Sequence, residues 1–293
     1  MKGRSMIQRI RTAVAALLAG LALAGAAPAG IEVKDGEKIA FLGDSITQGG
    51  MGATGYVSLV IHGLKTSGVT ATAIGAGISG HKSNDMLARL QKDVIDKKPD
   101  WMTLSCGVND VWHGAKGVPL DAYQQNITQI VEKAQAAGIK VMILTSTMIG
   151  ENAAEANNQK LEPYNDFLRK LAKEKKCLLA DLNADMHREL DEKEKDGRKR
   201  GNLLTSDGVH MNPHGNMMMA AGVLRGFGLD DAQRAKAREA WLDIPGGSTI
   251  SPQMKLTLRQ LAALEAAAAK QGKTVQALLQ AALEKEVSSL LEK

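Results

Sequence analysis

Between Ile31 and about Asp243, short and almost unbroken apolar runs alternate with longer stretches of helical period, and few folds accept that alternation. The apolar runs lie at residues 38–43, 69–75, 101–106, 140–146 and 177–182. A strand that is apolar at consecutive positions is covered on both faces, as in a parallel sheet. Helical spacing is read between them. Met86, Leu87, Leu90, Val94 and Ile95 recur on one face within residues 84–95. Ile127, Ile130 and Val131 do so within 123–137, which runs into Gly138, a usual stop residue. Leu161, Tyr164, Phe167, Leu168 and Leu171 do so within 158–176. Parallel strands need crossover connections, and these are right-handed. The predicted fold class is therefore α/β: a three-layer α/β/α sandwich with a five-stranded parallel sheet, spanning residues 30–243. Ligands of such sheets bind at the carboxyl ends of the strands. Aromatic residues are only 3% of the chain, so aliphatic side chains and methionine must fill the core.

Both flanks differ from this body. Lys2, Arg4, Arg9 and Arg11 precede an apolar run from Ala13 to Ala27, and Ala27-Pro28-Ala29 supplies small residues. That is the order of a secretory signal peptide. The run is shorter than the ~20 residues that span a bilayer. Residues 1–29 are expected to be removed on export, leaving a periplasmic or extracellular protein with no stable membrane insertion. They carry four basic groups and no acidic one, so the formal net charge of +5 becomes +1 without them. Such a near-neutral chain gives no ground for a nucleic-acid partner. Cys106 and Cys177 sit in or beside apolar runs, where a free cysteine behaves as a small buried hydrophobe, so no bridge between them is expected.

At the other end, Ile244-Pro245-Gly246-Gly247-Ser248 opens a linker over residues 244–253. Residues 254–293 then read as two amphipathic helices broken near Gln271-Gly272. Val275, Leu279, Leu283, Val287 and Leu291 form a stripe on the second. A strand-like Lys255-Leu256-Thr257-Leu258 gives this tail a faint resemblance to a ribbon-helix-helix dimer module. DNA binding makes little sense outside the cell. The expectation is a helical hairpin that docks on the preceding domain or mediates self-association.

The polar residues at the predicted strand ends carry the chemistry. Ser45 follows Phe41-Leu42-Gly43-Asp44, at the start of a glycine-rich loop. A serine hydroxyl is a weak nucleophile until a base takes its proton. Of the six histidines, His210 stands out in Asp207-Gly208-Val209-His210. A carboxylate three residues before an imidazole can bond Nδ1–H and leave Nε2 to face a hydroxyl. The spacing alone is common, and His214 is a second candidate base. Gly107-Val108-Asn109-Asp110 ends the third strand. In a sheet of order 2-1-3-4-5, strands 1 and 3 flank the switch point, so Ser45 and Asn109 should face one crevice. The Asn109 amide can donate to a developing oxyanion. After the second strand, Gly77-Ile78-Ser79-Gly80 lets a backbone N–H approach closely. Asp44 reads as a structural residue of its loop and Asp110 as a helix-start residue. Asp44, Trp112 and His113 are candidates to line the pocket. Met217-Met218-Met219 reads as helix core, and no metal site is read.

Four blocks in this order, Gly-Asp-Ser, a glycine block, Gly-x-Asn-Asp and a late Asp-x-x-His, resemble those of the SGNH hydrolases, the GDSL-type esterases. The resemblance covers residues 38 to 229. It implies a flavodoxin-like sandwich, Ser45 as nucleophile, and His210 as base oriented by Asp207. It also implies an oxyanion hole made by the N–H groups of Ser45 and Gly80 and the Asn109 side chain. No metal or organic cofactor is needed. The expected activity is hydrolysis of a short acyl ester, with acetyl on carbohydrate favoured. The rivals are longer-chain lysophospholipase or thioesterase action, and a non-catalytic glycan-binding module on the same scaffold.

Overall fold

The computed structural model describes residues 30–198, 201–245 and 255–292. The segment read as a signal peptide and most of the linker lie outside the described residues. The chain divides into two compact units, the second beginning at Thr249.

In the first unit five strands pair in parallel: β1 (Lys38–Gly43), β2 (Thr72–Gly77), β3 (Trp101–Ser105), β4 (Lys140–Leu144) and β5 (Leu178–Ala180). Their spatial order is β2-β1-β3-β4-β5, that of the flavodoxin-like sandwich which the resemblance implies. β1 lies between β2 and β3, so Ile39, Ala40, Phe41 and Leu42 are fully buried. Nine α-helices are described in this unit: α1 (Ser45–Gly50), α2 (Tyr56–Thr66), α3 (Ser83–Asp93), α4 (Val108–Trp112), α5 (Leu120–Ala136), α6 (Ala156–Glu174), α7 (Leu182–Lys195), α8 (Pro213–Gly226) and α9 (Asp231–Leu242). One layer packs α2 against α8 and α9, and α7 against α8; α3, α5 and α6 pack together in the other. Met218 and Met219 are buried in α8, Met217 packs partly buried against the same core, and Cys106 and Cys177 are free thiols.

β3 and β4 stop one and two residues earlier than expected, β2 runs two residues further, to Gly77, and the starts of β2 and β5 are displaced for one shared reason. β2 starts at Thr72 rather than residue 69 because the end of α2 uses Val69. Gly68 takes φ +84°, its N–H bonds Lys65 O, and Val69 N–H bonds Leu64 O at 3.0 Å. That pair of bonds closes a Schellman cap. At β5, Lys176 takes φ +54° and Cys177 N–H returns to Ala172 O at 2.9 Å, so Cys177 belongs to the cap of α6. Asp181 leaves the strand at its other end to cap α7 through Ala184 N–H, 3.2 Å.

The second unit holds α10 (Leu258–Lys270) and α11 (Val275–Leu291). Residues 255–257 form no strand there. Thr257 instead caps α10, exchanging bonds with Gln260. Among the described residues no helix is long and apolar enough to cross a membrane.

Candidate active site

The carboxyl ends of β1, β2 and β3 converge on one another through glycine. After Gly43 the chain turns at once into α1, so Ser45 is the first residue of a helix rather than part of a loop. Asp44 is the cap: its Oδ1 accepts Ile46 N–H at 2.9 Å. β2 passes so close to this turn that only glycine fits at its end. A methyl on Gly77 would collide with the Gln48 amide nitrogen and lie 2.7 Å from the Thr47 carbonyl carbon. Beyond it, Ile78 N–H bonds Gly43 O at 3.1 Å and Ser79 N–H bonds Gln48 Oε1 at 2.8 Å. These tie residues 77–80 to the turn that carries Ser45. Gly80 adopts φ +76°, which favours glycine.

At the end of β3, Gly107 adopts φ +138° and starts α4. Asn109 is buried, and its Nδ2 donates to His81 O at 3.1 Å. A carboxamide has two N–H donors, and this bond occupies one. Asp110 caps a helix other than its own: its Oδ1 accepts Ser83 N–H at 3.0 Å and Ser83 Oγ–H at 2.6 Å, at the start of α3. Trp112, one turn after Asn109, is 44% exposed, with the His113 ring 6.2 Å away.

The imidazole arrives from 165 residues further along the chain. Thr205 and Met211 pair as an antiparallel bridge, and Ser206 N–H bonds His210 O at 2.8 Å. Asp207, Gly208, Val209 and His210 thus form the tip of a small hairpin. There His210 Nδ1 lies 2.7 Å from Asp207 Oδ2, and His210 Nε2 lies 2.9 Å from Ser45 Oγ. Nδ1 facing a carboxylate carries the ring proton, so Nε2 is the acceptor toward the serine. Asp207 Oδ1 accepts the N–H groups of Val209 and His210 at 3.0 and 2.8 Å. Partial burial works against charge on Asp207, but those bonds and the one from the His210 ring outweigh it and bring its pKa down to about 2. Asp44 shows the reverse. Burial pushes it up to about 6, opposed by the Ile46 N–H and reinforced by nearby Asp110. His214, the other candidate base, lies in the first turn of α8; burial and then Lys193 and Arg198 hold its pKa down.

Two charged residues not singled out in the sequence serve this region. Arg89 in α3 donates to Gly43 O and Ala76 O, each at 2.8 Å, and to His81 Nδ1 at 3.1 Å. It therefore holds the ends of β1 and β2 together. The only signal for it was a cation three residues after Met86, on the apolar face of its helix. Glu151, after β4, is buried and accepts bonds from the segment that precedes Asp207. Nothing local in the sequence marks it. Among the described residues no group of three His, Cys, Asp or Glu side chains is placed to hold a metal ion.

Residues 41–218 match the model of the GDSL-like lipase/acylhydrolase family. The acetylxylan esterase of Geobacillus stearothermophilus is 29% identical over 220 residues, covering 68% of this chain and 98% of that enzyme. Its crystal structure superposes with a TM-score of 0.60. The acetyl xylan esterase AlAXEase is 36% identical, with a TM-score of 0.60, covering 64% of this chain and 98% of its own. Esterase TesA of Pseudomonas aeruginosa is 34% identical over 105 residues, 35% of this chain and 51% of that protein.

Proposed function

The chain belongs to the GDSL-like lipase/acylhydrolase family and is a carboxylic ester hydrolase, and from that premise we propose that it is an exported serine esterase that removes acetyl groups from carbohydrate. One observation carries the assignment of roles: the relay from Asp207 Oδ2 through His210 to Ser45 Oγ, with links of 2.7 and 2.9 Å. Both lie within proton-transfer reach.

In this reading Ser45 Oγ attacks the ester carbonyl carbon while His210 Nε2 takes its proton. The carbonyl π electrons move onto oxygen, and the oxyanion accepts hydrogen bonds from the Ser45 and Gly80 N–H groups and from Asn109 Nδ2. Asp207 stabilises the imidazolium and holds its orientation. On collapse, His210 returns the proton to the leaving sugar oxygen. A water molecule, deprotonated by His210, then attacks the acyl-enzyme and releases acetate and free Ser45. Among solved structures of the Geobacillus enzyme are catalytic mutants in which a serine and an aspartate are each replaced by alanine, which fits these roles.

Acetyl on carbohydrate is supported by the substrates in the relatives' names and by the exposed Trp112. An exposed indole offers a flat face to the C–H groups of a pyranose. Export rests on the composition of residues 1–29. A mature N-terminus at Gly30 on protein recovered outside the cytoplasm tests it.

The discriminating experiment is labelling with a fluorophosphonate probe, followed by hydrolysis of p-nitrophenyl esters of increasing chain length and of acetylated xylo-oligosaccharides. Labelling should vanish in Ser45→Ala, and rates should fall beyond butyryl. Strong preference for longer chains would move the protein to the lysophospholipase and thioesterase side. Trp112→Ala should raise KM several-fold on the oligosaccharides and leave p-nitrophenyl acetate unaffected; equal effects on both remove Trp112 from the sugar site.

A further inference from the structure

Glu151 is a carboxylate in a buried place, and among the described residues a run of N–H groups from one short segment bonds it. Its Oε1 accepts Leu204 N–H at 2.7 Å, and Thr205 N–H and Thr205 Oγ–H at 2.8 Å each. Its Oε2 accepts Leu203 N–H at 2.8 Å and Gly201 N–H at 3.3 Å. Successive backbone N–H groups converging on one point make a nest for an anion. Here the anion is a side chain of the same protein. Burial works against its charge, yet these bonds lower its pKa, so it stays ionised.

The segment it holds is one arm of the hairpin that carries Asp207 and His210. Thr205 pairs with Met211 across that hairpin, and Asn212 N–H bonds Leu204 O at 3.0 Å. The neighbouring residue grips the tip. Gly150 N–H bonds Gly208 O at 2.7 Å, between Asp207 and Val209. The gripping loop is itself anchored. Asn158 of α6 accepts Ile149 N–H at 2.8 Å and donates to Ile149 O and Asn152 O at 2.9 and 2.8 Å. The chain of contacts runs from a long helix, through residues 149–152, to both the arm and the tip of the hairpin.

We propose that Glu151 is a positioning residue for the ester hydrolysis: its carboxylate sets the arm from which Asp207 and His210 hang, and so sets the approach of His210 Nε2 to Ser45 Oγ. This rests on the Ser45–His210–Asp207 reading. The charge is required, because both oxygens take N–H donors. An amide in the same place turns an NH2 group against either Leu203 N–H or the Leu204 and Thr205 N–H groups. The effect falls on rate rather than binding, since Glu151 reaches the substrate only through the hairpin. A displaced base costs up to about a hundredfold in rate for a shift of order 1 Å.

The test is Glu151→Gln in the full chain, assayed with p-nitrophenyl acetate well below its thermal midpoint. The expected result is a kcat about ten- to a hundredfold lower with KM within about threefold of wild type. A purely structural role would lower the thermal midpoint and leave these parameters unchanged in the folded protein. The second readout is the far-downfield proton resonance of the Nδ1–H between His210 and Asp207. It should broaden or shift in Glu151→Gln while the remaining amide spectrum stays in place. A folded variant with wild-type kcat and an unmoved resonance overturns the proposal. Should that variant fail to fold, Thr205→Val removes one donor from the nest and keeps its volume. It should lower kcat several-fold at constant KM, and wild-type kcat there overturns the proposal equally. The two readings fail differently. An inactive wild type, or one whose activity survives Ser45→Ala, removes the parent reading, whereas an active, serine-dependent enzyme indifferent to both variants removes only the role of Glu151.

Discussion

Asp44 precedes Ser45 and Asp207 bonds His210, the two residues proposed to exchange a proton, and their surroundings drive the two carboxyls in opposite directions. Asp44 is 3% exposed and sits at about 6 against an ordinary 3.8. A carboxyl whose folded value is raised favours the folded state while protonated, and that stability is lost as pH rises from its ordinary value through the raised one. Two units correspond to about 3 kcal/mol. Asp44→Asn keeps an oxygen for the Ile46 N–H and cannot ionise. Urea melts from pH 4 to pH 7 should show a decline in stability for wild type and a smaller one for this variant, and the same pH slope in both would defeat the assignment. Asp207, at about 2, has the opposite sign: its charged interaction is present above its ordinary 3.8 and lost as pH falls through about 2. Loss of activity on mild acidification is therefore not protonation of Asp207. Asp207→Asn should lower kcat by about 10³- to 10⁴-fold through misorienting His210. For Asn109→Ala the expected loss is ~3 kcal/mol of barrier, about a hundredfold in kcat. Full activity in either variant removes that residue from the mechanism.

At the scale of elements, the site depends on how closely three strand ends approach. Gly77 brings β2 against the first turn of α1, with no room for a methyl group. The atoms it would meet are backbone, which cannot swing aside, so Gly77→Ala must displace the turn that carries Ser45. A loss of about 1–3 kcal/mol in stability, with a fall in kcat, is expected from overpacking of this kind. Chemical denaturation and p-nitrophenyl acetate kinetics check both, and an unperturbed variant would show that β2 and α1 can separate without consequence. The helices reveal why boundaries were harder to read than existence. Val69 and Cys177 are apolar and adjoin strands, so composition assigned them to the sheet. Their N–H groups instead close helix caps on Leu64 O and Ala172 O. A residue's hydropathy says that it is buried, whereas its hydrogen-bond partner decides to which element it belongs.

The whole molecule has two units, and the one that ends near residue 248 contains the complete sheet, its helical layers and every proposed catalytic group. A chain ending at Pro245 is expected to fold and to keep wild-type kcat on p-nitrophenyl acetate. Loss of activity would show that residues 249–293 serve the site. We propose self-association for that tail. Its α10 and α11 expose Leu258, Leu290 and Leu291, apolar side chains that a second copy of the tail would cover. Light scattering of the full and shortened chains should give a larger assembly for the full chain, and identical masses per chain would remove the idea.

Periodicity and motif spacing in the sequence are enough for the layered parallel sheet and for the three polar segments that follow β1, β2 and β3 at one edge of it, while the strand order follows from the resemblance to the SGNH hydrolases. Apolar periodicity and glycine placement are local properties, and a sheet of parallel strands converts them into a shared edge. The binding of the Gly43 and Ala76 carbonyls by Arg89, the capping of α3 by Asp110 and the bonds from Glu151 to the arm before Asp207 are visible only in the folded chain. Each of these side chains bonds groups that lie 13 or more residues away in the chain, Arg89 beside its local pair with Asp93. Backbone N–H and C=O groups are the same at every residue, so no pattern of side chains announces which of them a distant charge will meet.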